Sequence, residues 1–344
     1  MVNRCIRVAK LACAWALGLG LCACGGATAE REDRDRVLSA LPIAKEADME
    51  PIRGDLAAGL RFYKDEEYAD AQASLERYLK GNPKSAIAYY HLGLIELDRG
   101  KPDAARKQFE RALQLNPKLH GAANNLGVIY LNAGEDIAAM RAFQQAYKLA
   151  PNDPRVLVNL ASAQMRRGLW SEAIDTYEEA YKLAPGHASI IYDFALAYVE
   201  RQQWEPALKL IEEALRVRPR FALAWVEKVA CLQGLGRIDE AIATGREALQ
   251  LLSPVLVDNY VVLGRALVAK GLIKDALAEF RHAADLQPEN AQAQLALGEL
   301  LDAAGDKEAA AQWYGKYVKN PERSQGDARR IRDRLSTLQN GGNP

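Results

Sequence analysis

Prolines recur along this chain with a fixed period: Pro83, Pro117, Pro151, Pro185 and Pro219 stand 34 residues apart without error. A second ladder, Ala71, Ala105, Ala139, Ala173, Ala207, Ala241, Ala276 and Ala310, keeps the period except for one extra residue near Ser253-Pro254. Self-similarity of this length restricts the chain to architectures in which each unit packs mainly on its neighbours, so chain length sets the number of units, not the size of one core. The ladders divide residues 52–324 into eight units: 52–85, 86–119, 120–153, 154–187, 188–221, 222–256, 257–290 and 291–324.

Inside a unit the marked positions have physical tasks. Small residues at the eighth place (Gly59, Gly93, Gly127, Ala161, Ala195, Gly264, Gly298) and the alanines at the twentieth allow two helix backbones to approach closely. The proline near the end of a unit cannot continue a helix and starts the bend into the next. Between these marks apolar residues fall at helical spacing, as in Leu92, Leu94 and Ile95, then Phe109, Ala112, Leu113 and Leu115. Each unit therefore reads as a helical hairpin, and the chain as all-α.

The pattern resembles the tetratricopeptide repeat (TPR). Unit three carries most of its marks: Leu126, Gly127, Tyr130, Ala139, Phe143, Ala146 and Pro151. The resemblance covers about four-fifths of the chain and implies a right-handed solenoid of stacked hairpins that holds other proteins. An array end needs a cover. Residues 325–338 are expected to be a capping helix, since Ala328, Ile331, Leu335 and Leu338 form one apolar stripe, with Arg329, Arg330, Arg332 and Arg334 mostly elsewhere on the helix. Those arginines leave open a solvated cap or a contact with an anionic membrane. Residues 339–344 read as a disordered tail.

The first residues are foreign to the repeats. Arg4, Arg7 and Lys10 precede an uncharged, mostly apolar stretch from Leu11 to Ala23, the layout of an export signal occupying 1–23. The stretch runs into Gly25-Gly26 and a charged run beginning at Glu30, so it is short for a membrane span. Leu21-Cys22-Ala23-Cys24 resembles the lipobox of bacterial lipoproteins, which implies acylation at Cys24. The glycine at position 25, not aspartate, implies delivery to the outer membrane, facing the periplasm. Residues 24–51 would be a lipidated tether. With several acyl chains such an anchor is stable without a transmembrane helix.

Composition excludes several functions. Basic and acidic residues number 45 each, and losing Arg4, Arg7 and Lys10 leaves 42 basic residues, so no positive field exists to collect nucleic acid. His91, His120, His187 and His282 are scattered without metal-ligand spacing, and after processing only Cys24 and Cys231 remain. No nucleophile elbow, phosphate loop or zinc motif occurs, so no enzyme, cofactor or small-molecule substrate is expected. Trp170, Trp204 and Trp225 have packing places in the repeat.

By the resemblance, ligands lie along the concave face, at places 2, 5, 6, 9, 12 and 13 of each first helix. The candidate groove is Tyr90, His91, Asn124, Asn125, Arg155, Asn159, Tyr192 and Asp193. An amide both donates and accepts, which suits capture of an extended peptide backbone; the alternative is that these amides bond within or between helices. A carboxylate clamp of the chaperone kind matches at Asn125 and Arg155 but not at Tyr90, Leu94 and Asn159. The family resemblance implies an adaptor for an envelope machine such as a type IV pilus or secretion system. The alternative is a non-catalytic recruiting subunit of a cell-wall hydrolase or glycosyltransferase complex.

Overall fold

The computed structural model describes residues 54–252, 256–321 and 323–339. The signal segment, Cys24, the tether, the inserted residue near Ser253-Pro254 and the end of the tail lie outside the described residues. Every regular element among the described residues is an α-helix. The chain divides into two compact units, whose described parts are 54–185 and 186–339.

The first unit contains α1 (Gly54–Lys64) and α2 (Tyr68–Gly81), α3 (Ala86–Asp98) and α4 (Pro102–Leu115), α5 (His120–Asn132) and α6 (Asp136–Leu149), and α7 (Pro154–Arg166) and α8 (Trp170–Leu183). Each pair is an antiparallel hairpin. The reversal is made by one residue in the left-handed region: Gly100, Gly134 and Gly168 have φ of 69°, 77° and 72°. After each, an amide reaches back over the end of the first helix: Lys101 N donates to Glu96 O at 2.8 Å, Glu135 N to Tyr130 O at 2.8 Å and Leu169 N to Gln164 O at 2.9 Å. Side chains start some of the first helices: Ser85 Oγ accepts from Ala88 N at 3.3 Å and Asp153 Oδ1 from Arg155 N at 3.0 Å.

The eighth-place glycines are required by contact. A Cβ on Gly93 would lie 2.6 Å from the Phe109 ring, and one on Gly127 2.4 Å from Phe143. Phe109 joins Ala86, Ala105, Ala112, Leu119, Ala122, Leu126 and Ile129 in a core shared by two successive hairpins, and Phe143 joins Ala139, Met140, Leu160 and Ala163. A hairpin therefore completes its core only with the next one.

The second unit contains α9 (Ala188–Glu200) and α10 (Trp204–Val217), α11 (Ala222–Gly234) and α12 (Ile238–Leu251), α13 (Val257–Lys270) and α14 (Ile273–Leu286), α15 (Ala291–Ala304) and α16 (Lys307–Lys319), and the terminal α17 (Gln325–Gln339). Gly264 and Gly298 approach Phe280 and Tyr314 as in the first unit, at 2.4 and 2.5 Å from a built Cβ. The α11–α12 pair reverses the sizes: the eighth place holds buried Val229 and the twenty-fourth holds Gly245, whose Cβ would meet Leu263 of α13 at 3.1 Å. Trp204 lies over Gly234, and Trp225 is buried with its Nε1 donating to Pro219 O at 2.8 Å, both packing roles.

The terminal helix covers the α15–α16 hairpin. Ile331 is buried in a core with Ala291, Leu295, Leu301, Ala310, Tyr314 and Tyr317. Two of its arginines are drawn back onto α15. Arg330 Nη2 donates to Glu299 Oε1 at 2.7 Å, and Arg334 holds Asp302 through two bonds of 2.7 Å. These two guanidiniums are engaged within the protein and stay partly exposed, and Arg329 and Arg332 are exposed as well, the surroundings of a solvated cap. Among the described residues no helix is long and apolar enough to cross a membrane.

Candidate functional site

The first helices α3, α5 and α7 place the candidate residues in one row by their common register. The structure gives the members of that row different roles. Tyr90 leans on Phe109, with ring centroids 5.8 Å apart, and covers Gly121, where a Cβ would meet its hydroxyl at 2.9 Å. It is a spacer between α3 and α5. His91 stands edge-on to Tyr90 and Tyr63, with ring centroids 5.2 and 5.9 Å away. Its Nδ1 is buried without a hydrogen bond, and burial pushes the imidazole down to about 4. It is a neutral aromatic at pH 7.

Asn159 Nδ2 donates to Asn124 Oδ1 at 3.0 Å, linking α7 to α5. Part of the amide row is therefore satisfied by the protein itself, the alternative that sequence left open. The half-buried Asn125 has no side-chain hydrogen bond among the described residues, and Asn132 at the end of α5 is exposed. One Asn124 amine and one Asn159 carbonyl retain capacity for a further partner.

Arg155 is committed. Its Nε and Nη2 donate to Asp153 Oδ1 and Oδ2 at 3.0 and 2.6 Å, and Asp153 is 4 % exposed. This bidentate pair, beside His120 Nε2 at 3.9 Å from Asp153 Oδ2, secures the start of α7. A guanidinium whose Nε and Nη2 are taken up in this way has fewer donors left for a ligand carboxylate. Arg166 is similarly engaged, donating to Leu131 O at 2.8 Å and pairing with Asp136 at 2.9 Å.

Tyr192 and Asp193 belong to the second unit. They are 5 and 3 % exposed, with the Tyr192 ring 4.8 Å from that of Phe221. Residues so covered present little of their own surface. The reason is the apolar surroundings of α9, whose Ile190, Ile191 and Phe194 are also buried. Sequence reasoning passed over Tyr63, at place 12 of the first repeat, beside Asp98 at place 13 of the next. Their side chains hydrogen-bond; burial, then the neighbouring Asp98 carboxylate, pushes the Tyr63 phenol up. Both places lie in the same groove register, which was the available signal.

Among the described residues no group of His, Cys, Asp and Glu is arranged to hold a metal ion. What the row can do chemically is hydrogen-bond through amides flanked by aromatic rings.

Family models of the tetratricopeptide repeat match residues 56–120, 94–154, 192–254 and 261–328, and a further one matches 153–220. A comparison with curated proteins gave no match. Among solved structures, a tetratricopeptide repeat protein from Parabacteroides merdae is similar at a TM-score of 0.63 and 18% identity, covering 74% of this chain and 98% of its own. PilF of Pseudomonas aeruginosa gives a TM-score of 0.51 at 18% identity, over 64% of this chain and 93% of its own. PilW, a type IV pilus biogenesis factor, gives 0.53 at 17% identity, over 57% and 91%. At these identities the likeness is one of fold.

Proposed function

This chain belongs to the tetratricopeptide repeat family, and from that premise we propose that it is an exported, lipid-anchored scaffold that holds extended segments of other proteins against its first-helix row. The observation that carries the reading is the open amide at Asn125 beside the half-used Asn124–Asn159 pair. A peptide backbone offers alternating N–H and C=O groups, and unspent amides on consecutive first helices can meet both without reading side chains. Tyr90 and His91 supply apolar walls next to them.

Export rests on the layout of residues 1–23, and anchoring on the Leu21-Cys22-Ala23-Cys24 run. Acylated Cys24 would hold the scaffold at the outer membrane, facing the periplasm, with no span of its own. In that compartment the role is an adaptor for a multiprotein envelope machine, such as a type IV pilus or a secretion system. The likeness to PilF and PilW supports the fold of such an adaptor.

One experiment tests both parts. In-cell crosslinking and capture from intact envelopes is run on the wild type, on Cys24→Ser and on the triple variant Asn124→Ala, Asn125→Ala and Asn159→Ala. Cys24→Ser should leave the membrane fraction. A single neutral hydrogen bond contributes about 0.5–1.5 kcal/mol, so the triple change should weaken partner capture by roughly tenfold or more. A folded triple variant that keeps every wild-type partner removes the row from the binding surface, and an unchanged membrane fraction for Cys24→Ser removes the anchor.

A further inference from the structure

The second unit holds a group of carboxylates that its own folding does not explain. Glu227 of α11 is 8 % exposed, and its carboxylate has neither a hydrogen bond nor an ion pair among the described residues. Two carboxylates from the neighbouring first helices, the exposed Glu200 at the end of α9 and the half-buried Asp258 in the first turn of α13, are close enough to repel it. Their repeat places, 13, 6 and 2, belong to the first-helix groove register.

No described cation answers Glu227. Lys228, next in the chain, is 3.3 Å from Glu212 of α10, while Arg265 and the Asn290 side chain both favour the charged form of Asp258. Glu200 has no ion pair among the described residues. A buried carboxylate without a counter-charge is costly, and its persistence calls for an explanation outside the hairpin. Packing does not require it: the same place in the next two units is filled by buried Val262 and Ala296.

We propose that Glu227, Glu200 and Asp258 form a receptor for a basic side chain, arginine or lysine, of a protein partner. A long aliphatic stem lets such a side chain carry its charge from the groove surface to a recessed carboxylate, with Glu200 at the rim attracting it first. Charge complementarity selects this occupant. The proposal rests on the scaffold reading of the chain but uses none of the first-unit row, so the two fail separately.

The test titrates the full mature chain with a short arginine-rich peptide and with the same peptide carrying citrulline at each arginine. The arginine peptide should bind, and the citrulline peptide at least about tenfold more weakly. Glu227→Gln combined with Glu200→Gln should lose about tenfold or more for the arginine peptide, with unchanged helical content. The Asn124, Asn125 and Asn159 variant should bind it as the wild type does. A second readout uses the wild type alone. Burial pushes the Glu227 carboxyl up to about 7, so an arriving cation should release a fraction of a proton at pH 7, seen by calorimetry in buffers of different ionisation enthalpy. Equal binding of the two peptides, unchanged binding by the glutamine variant, or no proton release would each overturn the proposal.

Discussion

The fifteenth place of each repeat turns the chain from first helix to second, and it does so in the left-handed region. Gly100, Gly134, Gly168, Gly236, Gly271 and Gly305 occupy it with φ between 69° and 89°, while Glu66 and Gln202 adopt the same conformation at 61° and 56°. A side chain there costs about 1–2 kcal/mol through the clash of Cβ with the carbonyl oxygen. Gln202→Gly should therefore stabilise the chain by about 1 kcal/mol, and Gly134→Ala should destabilise it by about as much, both measured by urea titration. The glycine ladder was visible in the sequence at the same period as the prolines, yet only its physical need for positive φ distinguishes it from the eighth-place glycines. Site residues were less legible. Asn124, Asn125 and Asn159 follow from register, but that Arg155 is spent on Asp153 depends on a rotamer choice two residues from a helix start, which periodicity does not encode.

At the scale of the element, a hairpin is defined by one large and one small residue facing each other. In the α5–α6 pair the small one is Gly127 and the large one Phe143, which packs with Leu160 of the following helix. The α11–α12 pair inverts this, with Val229 on the first helix and Gly245 on the second, next to Leu263, the counterpart of Leu160. Family marks predicted the fold class and the helical hairpins correctly because most units obey them. They could not predict the inversion, since a pattern read one position at a time carries no information on complementary volume. Gly245→Phe alone should overpack the pair and cost about 1–3 kcal/mol. Adding Val229→Gly recreates the arrangement of α5–α6, so the double variant should be more stable than the sum of the two single changes implies, by about 0.5–3 kcal/mol in a double-mutant cycle on thermal melts. Strict additivity would show that volume exchange between these places is not what holds the hairpin.

Across the whole molecule the buried imidazoles of the first unit and the buried carboxyls of the second carry opposite responses to pH, with Asp98 of the first unit, also raised by burial, partly offsetting its imidazoles. In the first, burial pushes His91 down to about 4 and also lowers His120. The folded unit then binds fewer protons than its unfolded chain between about pH 4 and 6.5, so these groups make it more stable as pH rises through that window. In the second, Glu227 is pushed up to about 7, burial being the leading cause and Glu200 and Asp258 adding to it. Burial also raises Glu200, Asp258, Glu279 and Glu299. Here the folded unit binds more protons than the unfolded chain above pH 4.5, and these groups make it less stable as pH rises toward and past 7. Moving a buried carboxyl from 4.5 to about 7 corresponds to about 3 kcal/mol at roughly 1.4 kcal/mol per decade, present in full above pH 7 and absent below 4.5. Hydrogen exchange, corrected for intrinsic rates, separates the two responses within one chain. Between pH 5 and 7, amides of residues 54–185 should gain protection and amides of 186–339 should lose it. Glu227→Gln removes the largest carboxyl contribution, so in that variant the second unit should lose much less protection over the same interval while the first responds as before. A parallel change in both units, or an unaltered second-unit response in Glu227→Gln, would show that buried imidazoles and carboxyls do not set the pH profile of this protein.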